Sequence, residues 1–326
     1  MKSTAQTQPS TSSRFSSRTR RAGAVLFVLL YLRHVIQSGA QRQLRRFGPR
    51  WLIRAIAAPL PLVMRLLGVQ SQTVLDGITT SELASGSPFV VTISPHGTGV
   101  GHLMLTGPAL VTPPLDATVP MGLAASVVFK VPLWRELMLL LGWREASATM
   151  AGEMLNGGCS VIVLPGGLWE MVETSHTEEV LRLQHNLGFV RLAMAHGRPL
   201  LPIYCCGENQ LYHHHACGTA LRRQVARKYG FGGPYLVPPF ASGRWGSPMP
   251  RPTAHRIVVG SPVPTGPPNI RPTDAEVLEV ARRWCVAMRT LFARHGPEVL
   301  PPQVVEKGMS VLRGGLGRTS TARSRL

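Results

Sequence analysis

Acidic residues are missing from both ends of the chain. All 16 Asp and Glu lie between Asp76 and Glu306, whereas residues 1–75 carry 12 basic residues and residues 307–326 carry five. The segment between them holds 18 basic against 16 acidic residues, so the formal net charge of +19 belongs to the ends and not to the body. A nucleic-acid-binding domain carries its basic stripe on the folded body, so no nucleic-acid partner is expected. Basic ends of which one is also apolar fit an anionic membrane surface better. Cysteine is scarce as well: five residues, an odd number and widely spaced, give no disulfide framework and point to a reducing compartment.

Two catalytic signatures are absent. There is no Gly-x-Ser-x-Gly elbow, which argues against a serine hydrolase, and no glycine-rich loop ending in Lys-Ser/Thr, which argues against a phosphate-loop NTPase. A bilayer-spanning run is not evident either. "AGAVLFVLLYL" at 22–32 is apolar for eleven residues, too few to cross a membrane alone. "WLIRAIAAPLPLVMRLLGV" at 51–69 is apolar with Arg54 and Arg65 at its edges and is interrupted by Pro59 and Pro61. Both read as short helices that dip into a membrane or lie on it. Residues 1–21, rich in Ser, Thr and Arg, read as a disordered tail or a transit peptide.

What is present begins near residue 76. "FVVTIS" (89–94), "SVIVLPGG" (160–167), "PLLPIY" (199–204) and "HRIVVG" (255–260) read as buried strands. "GLAASVVFKVPLWRELMLLLGW" (122–143) reads as mostly helical with a break near Pro132. "SATMAGEMLNGG" (147–158) reads as a helix stopped by Asn-Gly-Gly, and 177–197 as helical toward its end, capped by Gly197. "PTDAEVLEVARRWCVAMRTLFARHG" (272–296) predicts a long helix with a Thr273/Glu276 capping box and an apolar face of Val277, Val280, Trp284, Met288 and Leu291. Strands alternating with helices predict an α/β fold with a mostly parallel central sheet and helices on both faces, preceded by membrane-associated helices. The expected division is a tail over 1–21, a membrane-associated segment over 22–75, a catalytic domain over 76–306 and a disordered basic tail over 307–326. The Gly- and Pro-rich stretch 231–253 reads as a long loop or lid.

Three of the strands end in chemistry. The first runs into Ser94-Pro95-His96-Gly97, the second into Pro165-Gly166-Gly167 with Glu170 following, and the third into Cys206-Gly207-Glu208-Asn209. In a parallel sheet these ends share one edge, where ligands bind. A histidine can act as general base on an acceptor hydroxyl, a carboxylate can orient it, and backbone N–H groups in glycine turns can stabilise an oxyanion. That combination suits acyl transfer without a covalent enzyme intermediate. His213, His214, His215 and Cys217 crowd together, but neighbouring histidines point apart and no second pair has zinc spacing, so a polar loop and no metal are expected.

These segments resemble the type-2 diacylglycerol acyltransferase family, which includes monoacylglycerol and wax-alcohol acyltransferases. "GFVRLAMAHGRPLLPIYCCGENQLY" (188–212) is similar to the family's Gly-Phe-x-Arg/Lys-x-Ala and Gly-Glu-Asn segments. "VLPGGLWEM" (163–171) is similar to its Gly-Gly-x-x-Glu segment, and "SPHG" stands where the family has His-Pro-His-Gly. The resemblance covers about 75 to 300. It implies an acyl-coenzyme A-dependent O-acyltransferase of the endoplasmic reticulum membrane or lipid droplets, with its active domain facing the cytosol and acyl-coenzyme A as co-substrate rather than a bound cofactor. Another organelle membrane, such as a plastid's, is left open by the basic N-terminus. Carried over, His96 is the base and Glu170 its partner. Gly97, Gly166 and Gly167 shape turns or an oxyanion site, Arg191 meets coenzyme A phosphates, and Ser94, Pro95, Gly207, Glu208 and Asn209 support the site. Diacylglycerol is the expected acceptor, with monoacylglycerol and long-chain alcohols as alternatives. Ser94 in place of the first histidine, and Asn186-Leu187 in place of Arg-Lys, motivate the rival expectation of an inactive lipid-binding relative.

Overall fold

Three apolar runs form the centre of a seven-stranded sheet. The structure, a computed structural model, describes residues 22–23, 25–31, 33–34, 38–44, 49–229, 241–314 and 324–325. The expected tail or transit peptide at 1–21 and residues 231–240 of the expected lid lie outside them. In chain order the strands of the sheet are β1 (Val69–Asp76), β2 (Val90–Ser94), β3 (Met121–Ala124), β4 (Trp143–Glu145), β5 (Val161–Val163), β7 (Leu200–Cys206) and β10 (Thr253–Gly260), and their spatial order is β1-β10-β7-β2-β5-β3-β4. The five strands from β7 to β4 are parallel, β10 meets β7 antiparallel, and β1 pairs in parallel with β10. The sheet is therefore mostly parallel, as expected, with an outer pair of reversed direction.

All residues of β2 and β7 are buried, which is why their sequences are continuous apolar runs rather than alternations. Alternation appears instead in what each residue touches. Val90 and Leu200 join one apolar cluster with the helices Ala148–Asn156, Gly188–Ala195 and Asp274–His295, whereas Val91, Ile93, Leu201 and Ile203 join another with Met64 and Leu110 on the opposite face. The long helix Asp274–His295 begins at the expected capping box and buries the expected face. Its Trp284 is fully buried, and the indole Nε1 donates to Thr92 Oγ1 on β2 at 2.8 Å.

Several expectations are corrected. The stretch 122–143 is not mostly helical: only Trp134–Leu140 is α-helix, flanked by β3, a 3-10 turn at Ser126–Lys130 and β4. Within 177–197 the end is helical as expected (Gly188–Ala195), and the residues before it add β6 (Glu179–Leu183), whose burial alternates with period two. The expected basic tail from 307 contains β11 (Met309–Arg313), which buries Val311 and pairs in parallel with β6, while the two-residue β12 (Ser324–Arg325) pairs with β11. A further small ribbon joins β8 (His213–His214) to β9 (Ala241–Ser242).

The 51–69 segment forms two eight-residue helices, Arg50–Ala57 and Pro59–Leu66, with Pro59 at the start of the second. Residues 25–31 are helical. Among the described residues no helix is long and apolar enough to cross a membrane.

Candidate active site

The parallel block brings the carboxyl ends of β5, β2 and β7 side by side, and with them Glu170, His96 and Glu208. After Ser94 the chain turns through Pro95, His96 and Gly97, then enters a π-helical turn at His102–Thr106. Such turns are frequent at functional sites. Here the turn carries His102, whose Nε2 lies 2.8 Å from the carbonyl of Pro95. A carbonyl only accepts, so this nitrogen carries a proton. The His102 ring stands edge-on to the His96 ring with 6.1 Å between centroids. After β5, Gly166 precedes the helix Gly167–Val172, which presents Glu170. Thr174 Oγ1 donates to the carbonyls of Glu170, at 2.8 Å, and Gly97, at 3.3 Å, and so ties this helix to the His96 turn.

Glu208 lies fully buried beneath the His96 turn. Its carboxylate occupies the space that a side chain at Gly97 or Gly101 would need. A Cβ on Gly97 would come within 2.7 Å of Oε1 and one on Gly101 would overlap Oε2, and Gly97 has a φ of +53° besides. The antiparallel register of β10 on β7 puts the start of β10 at the same edge, and this supplies His255. Its Nε2 is 3.4 Å from Glu208 Oε2, and its Nδ1 is 3.0 Å from Ser71 Oγ on β1.

These environments push the titratable groups apart. Burial, with His102 adding to it, lowers the His96 imidazole to about 4, against the pull of Glu208. Burial alone would raise Glu208, but His102, His255 and His96 outweigh it and hold the carboxyl below its ordinary value. Glu170 is raised by burial to about 8; the backbone amides of Arg182 and His96 oppose this without closing a hydrogen bond to either oxygen. Ser94 Oγ, His96 Nδ1 and Thr98 Oγ1 are enclosed and have no hydrogen-bond partner.

Asn209 turns away from this group. Its Nδ2 donates to Glu179 Oε1 on β6 at 3.1 Å, alongside Gln210 Nε2 at 3.2 Å, while the Tyr204 hydroxyl donates to Glu179 Oε2 at 3.1 Å. Burial raises this third enclosed carboxyl to about 7. Gly207, with a φ of +88°, lets the chain pass closely over Ala254. Arg191 is not brought to His96. Its guanidinium pairs with Asp274 and donates to the carbonyls of Asn186, at 3.2 Å, and Pro272, at 3.3 Å. The histidines after Glu208 are not a free surface loop: His213 Nδ1 is 2.8 Å from His176 Nε2, and Arg251 contacts the other ring nitrogen of His213. Among the described residues no three His, Cys, Asp or Glu are arranged to hold a metal ion.

The sequence carries no local signal that marks His102 or His255. His102 stands six residues past His96, and its approach depends on the π-turn. His255 opens a strand whose direction only the register reveals.

The family model for diacylglycerol acyltransferases matches residues 74–304. The chain belongs to this family. Its members among curated proteins include human 2-acylglycerol O-acyltransferase 3, 29% identical over 52% of this chain and 52% of that protein. Diacylglycerol O-acyltransferase 2 of Dictyostelium discoideum is 28% identical over 51% of this chain and 52% of its own. Human acyl-CoA wax alcohol acyltransferase 2 is 27% identical over 67% of this chain and 68% of its own. The chain thus spans about half the length of the first two relatives. No solved structure matches it.

Proposed function

We propose that the protein transfers a fatty acyl group from acyl-coenzyme A to the hydroxyl of a glycerolipid, with diacylglycerol as the first acceptor to test and monoacylglycerol or a long-chain alcohol next. The observation that carries this reading is His96 at the carboxyl edge, on a turn packed against the buried Glu208, whose carboxyl is held below its ordinary value. The neutral His96 imidazole takes the acceptor hydroxyl proton as the oxygen attacks the thioester carbonyl. The resulting oxyanion collapses, the C–S bond breaks, and the proton passes from His96 to the departing thiolate. The Glu208 charge stabilises the imidazolium that exists between these steps. Glu208, rather than Glu170, is therefore the better partner for His96. Glu170, uncharged at neutral pH, can donate a hydrogen bond to developing negative charge, together with N–H groups of the Gly97 and Gly166-Gly167 turns.

Twelve basic residues and no acidic ones over 1–75, with the apolar helices there, support attachment to an anionic membrane lipid surface. The endoplasmic reticulum with the active domain facing the cytosol is the proposed location, and a plastid or other organelle membrane the alternative. One observation favours the rival reading of a lipid-binding relative without activity: the Arg191 guanidinium is engaged with Asp274 and is not offered to coenzyme A phosphates. Membranes containing the protein, incubated with labelled acyl-coenzyme A and a panel of acceptors, decide between them. An ester product lost in His96→Ala is expected; no ester with any acceptor overturns the enzyme reading.

A further inference from the structure

Leu133 is held where water would not be expected to put it. Its side chain is 76% exposed, and its backbone has a φ of +65°, a conformation unfavourable for a residue with a side chain. The conformation is fixed from outside the turn. The Leu133 N–H donates to the Tyr31 hydroxyl at 2.8 Å and to Glu136 Oε2 at 3.0 Å, and the Tyr31 hydroxyl in turn donates to that same Glu136 oxygen. Val131 and Trp134 beside it are exposed too, while Phe129 anchors the segment in an apolar cluster.

Tyr31 belongs to the helical residues 25–31, and there Val25, Leu26, Phe27, Val28, Leu29 and Leu30 are each between 51% and 71% exposed. The tyrosine thus joins two apolar surfaces that are about a hundred residues apart in sequence. Topology gives this joint a direction. The turn lies between β3, which runs parallel to β5, and the helix Trp134–Leu140 that returns to β4, so it stands at the carboxyl edge of the sheet, the edge that presents His96. Basic charge accompanies it: exposed Lys130 precedes the turn, and no acidic residue occurs before Asp76.

We propose that Val131, Leu133 and Trp134, together with the apolar residues 25–30, form one face that inserts into the surface layer of an anionic phospholipid bilayer. This rests on the membrane reading above and deepens it, because the contact includes a turn of the catalytic domain itself and not only the N-terminal helices. Such a face lies in the interface without crossing it, with the apolar side chains among the acyl chains and the cations at the headgroups. It would set the His96 edge toward the layer in which a neutral lipid acceptor dissolves.

The test compares the unchanged protein with Leu133→Gly in flotation with phosphatidylcholine vesicles, with and without phosphatidylserine. Glycine accepts the positive φ, so the variant should unfold at the same temperature or a higher one. Its partition onto phosphatidylserine vesicles should nevertheless fall about tenfold, because the inserted side chain is gone. The fall should be reproduced by Leu133→Asp, and binding of the unchanged protein should weaken on pure phosphatidylcholine. Unchanged partition of Leu133→Gly overturns the proposal. So does a change of oligomeric state without vesicles, which would make the face a contact between copies. Acyl transfer measured in detergent separates the two readings. Activity with no effect of Leu133→Gly on vesicle binding removes only the membrane face, and vesicle binding lost without any ester formed by the unchanged protein removes only the enzyme.

Discussion

His255 Nε2 lies 3.4 Å from Glu208 Oε2, and Ser71 Oγ lies 3.0 Å from the other nitrogen of the same imidazole. A buried carboxylate without nearby positive or polar groups would take up a proton. Glu208 instead sits below its ordinary value because three histidines surround it. In the proposed mechanism this charge stabilises the imidazolium of His96. Glu208→Gln keeps the shape and removes the charge, and should lower kcat at least about tenfold, part of what a positioned acid–base pair contributes. The unfolding temperature checks the alternative. A purely structural carboxylate would lower stability while leaving the rate per folded molecule unchanged.

Gly101 is a second test of the same packing. Its φ is ordinary, so a side chain there meets no backbone objection, yet a Cβ would overlap Glu208 Oε2 and contact Leu211. Gly101→Ala should destabilise the protein by about 1–3 kcal/mol, the usual cost of overpacking a closed site. Activity should fall together with stability, because the carboxylate must shift away from the His96 turn. Denaturant unfolding in detergent measures the first effect and initial rates the second.

Much of this was legible in the chain because it obeys local rules. β2 and β7 are buried on both faces, so their apolar runs are unbroken, and the Thr273/Glu276 box marks the start of the long helix. His96, Glu170 and Glu208 stand where apolar runs end, which is where a parallel sheet gathers ligand-binding residues. Less legible were β6 and β11, where charged and half-buried positions dilute the period-two signal and the pairing partner is 130 residues away in sequence. Least legible were His102 and His255. Their approach to Glu208 depends on a π-turn and an antiparallel register, neither of which leaves a local pattern.

Arg191 separates recognition of coenzyme A from packing. Its partners Asp274, Pro272 and Asn186 join the helix at 188–195 to the start of the helix at 274–295. The guanidinium is partly exposed and its carboxylate partner largely so, which makes the pair worth no more than about 1 kcal/mol. Arg191→Gln should therefore lower stability slightly and leave KM for acyl-coenzyme A within about twofold, the latter because its guanidinium serves packing. A tenfold rise in KM, with stability unchanged, would show instead that the arginine leaves Asp274 for the coenzyme A phosphates.

The pH dependence follows from groups pushed in opposite directions. His96 is lowered to about 4, so it is already the free base at any pH above 5, and the acid limb of kcat/KM should fall near 4 rather than near 6.5. Its contribution to stability has the same sense. As pH falls from 6.5 toward 4 the unfolded chain gains a proton that the folded protein does not, and stability drops. Glu170 and Glu179, raised to about 8 and about 7, act the other way. As pH rises from 4.5 the unfolded carboxyls ionise first, so stability declines until the folded groups ionise too. Above pH 6.5 only this decline remains, and Glu170 should account for about 1–2 kcal/mol of it between pH 6.5 and 8. Glu170→Gln, which stays neutral, should flatten that decline and remove the loss of activity expected near pH 8, while leaving the acid limb in place. Urea unfolding and initial rates across pH 4 to 9 measure both. An alkaline limb that persists unchanged in Glu170→Gln would assign it to another group.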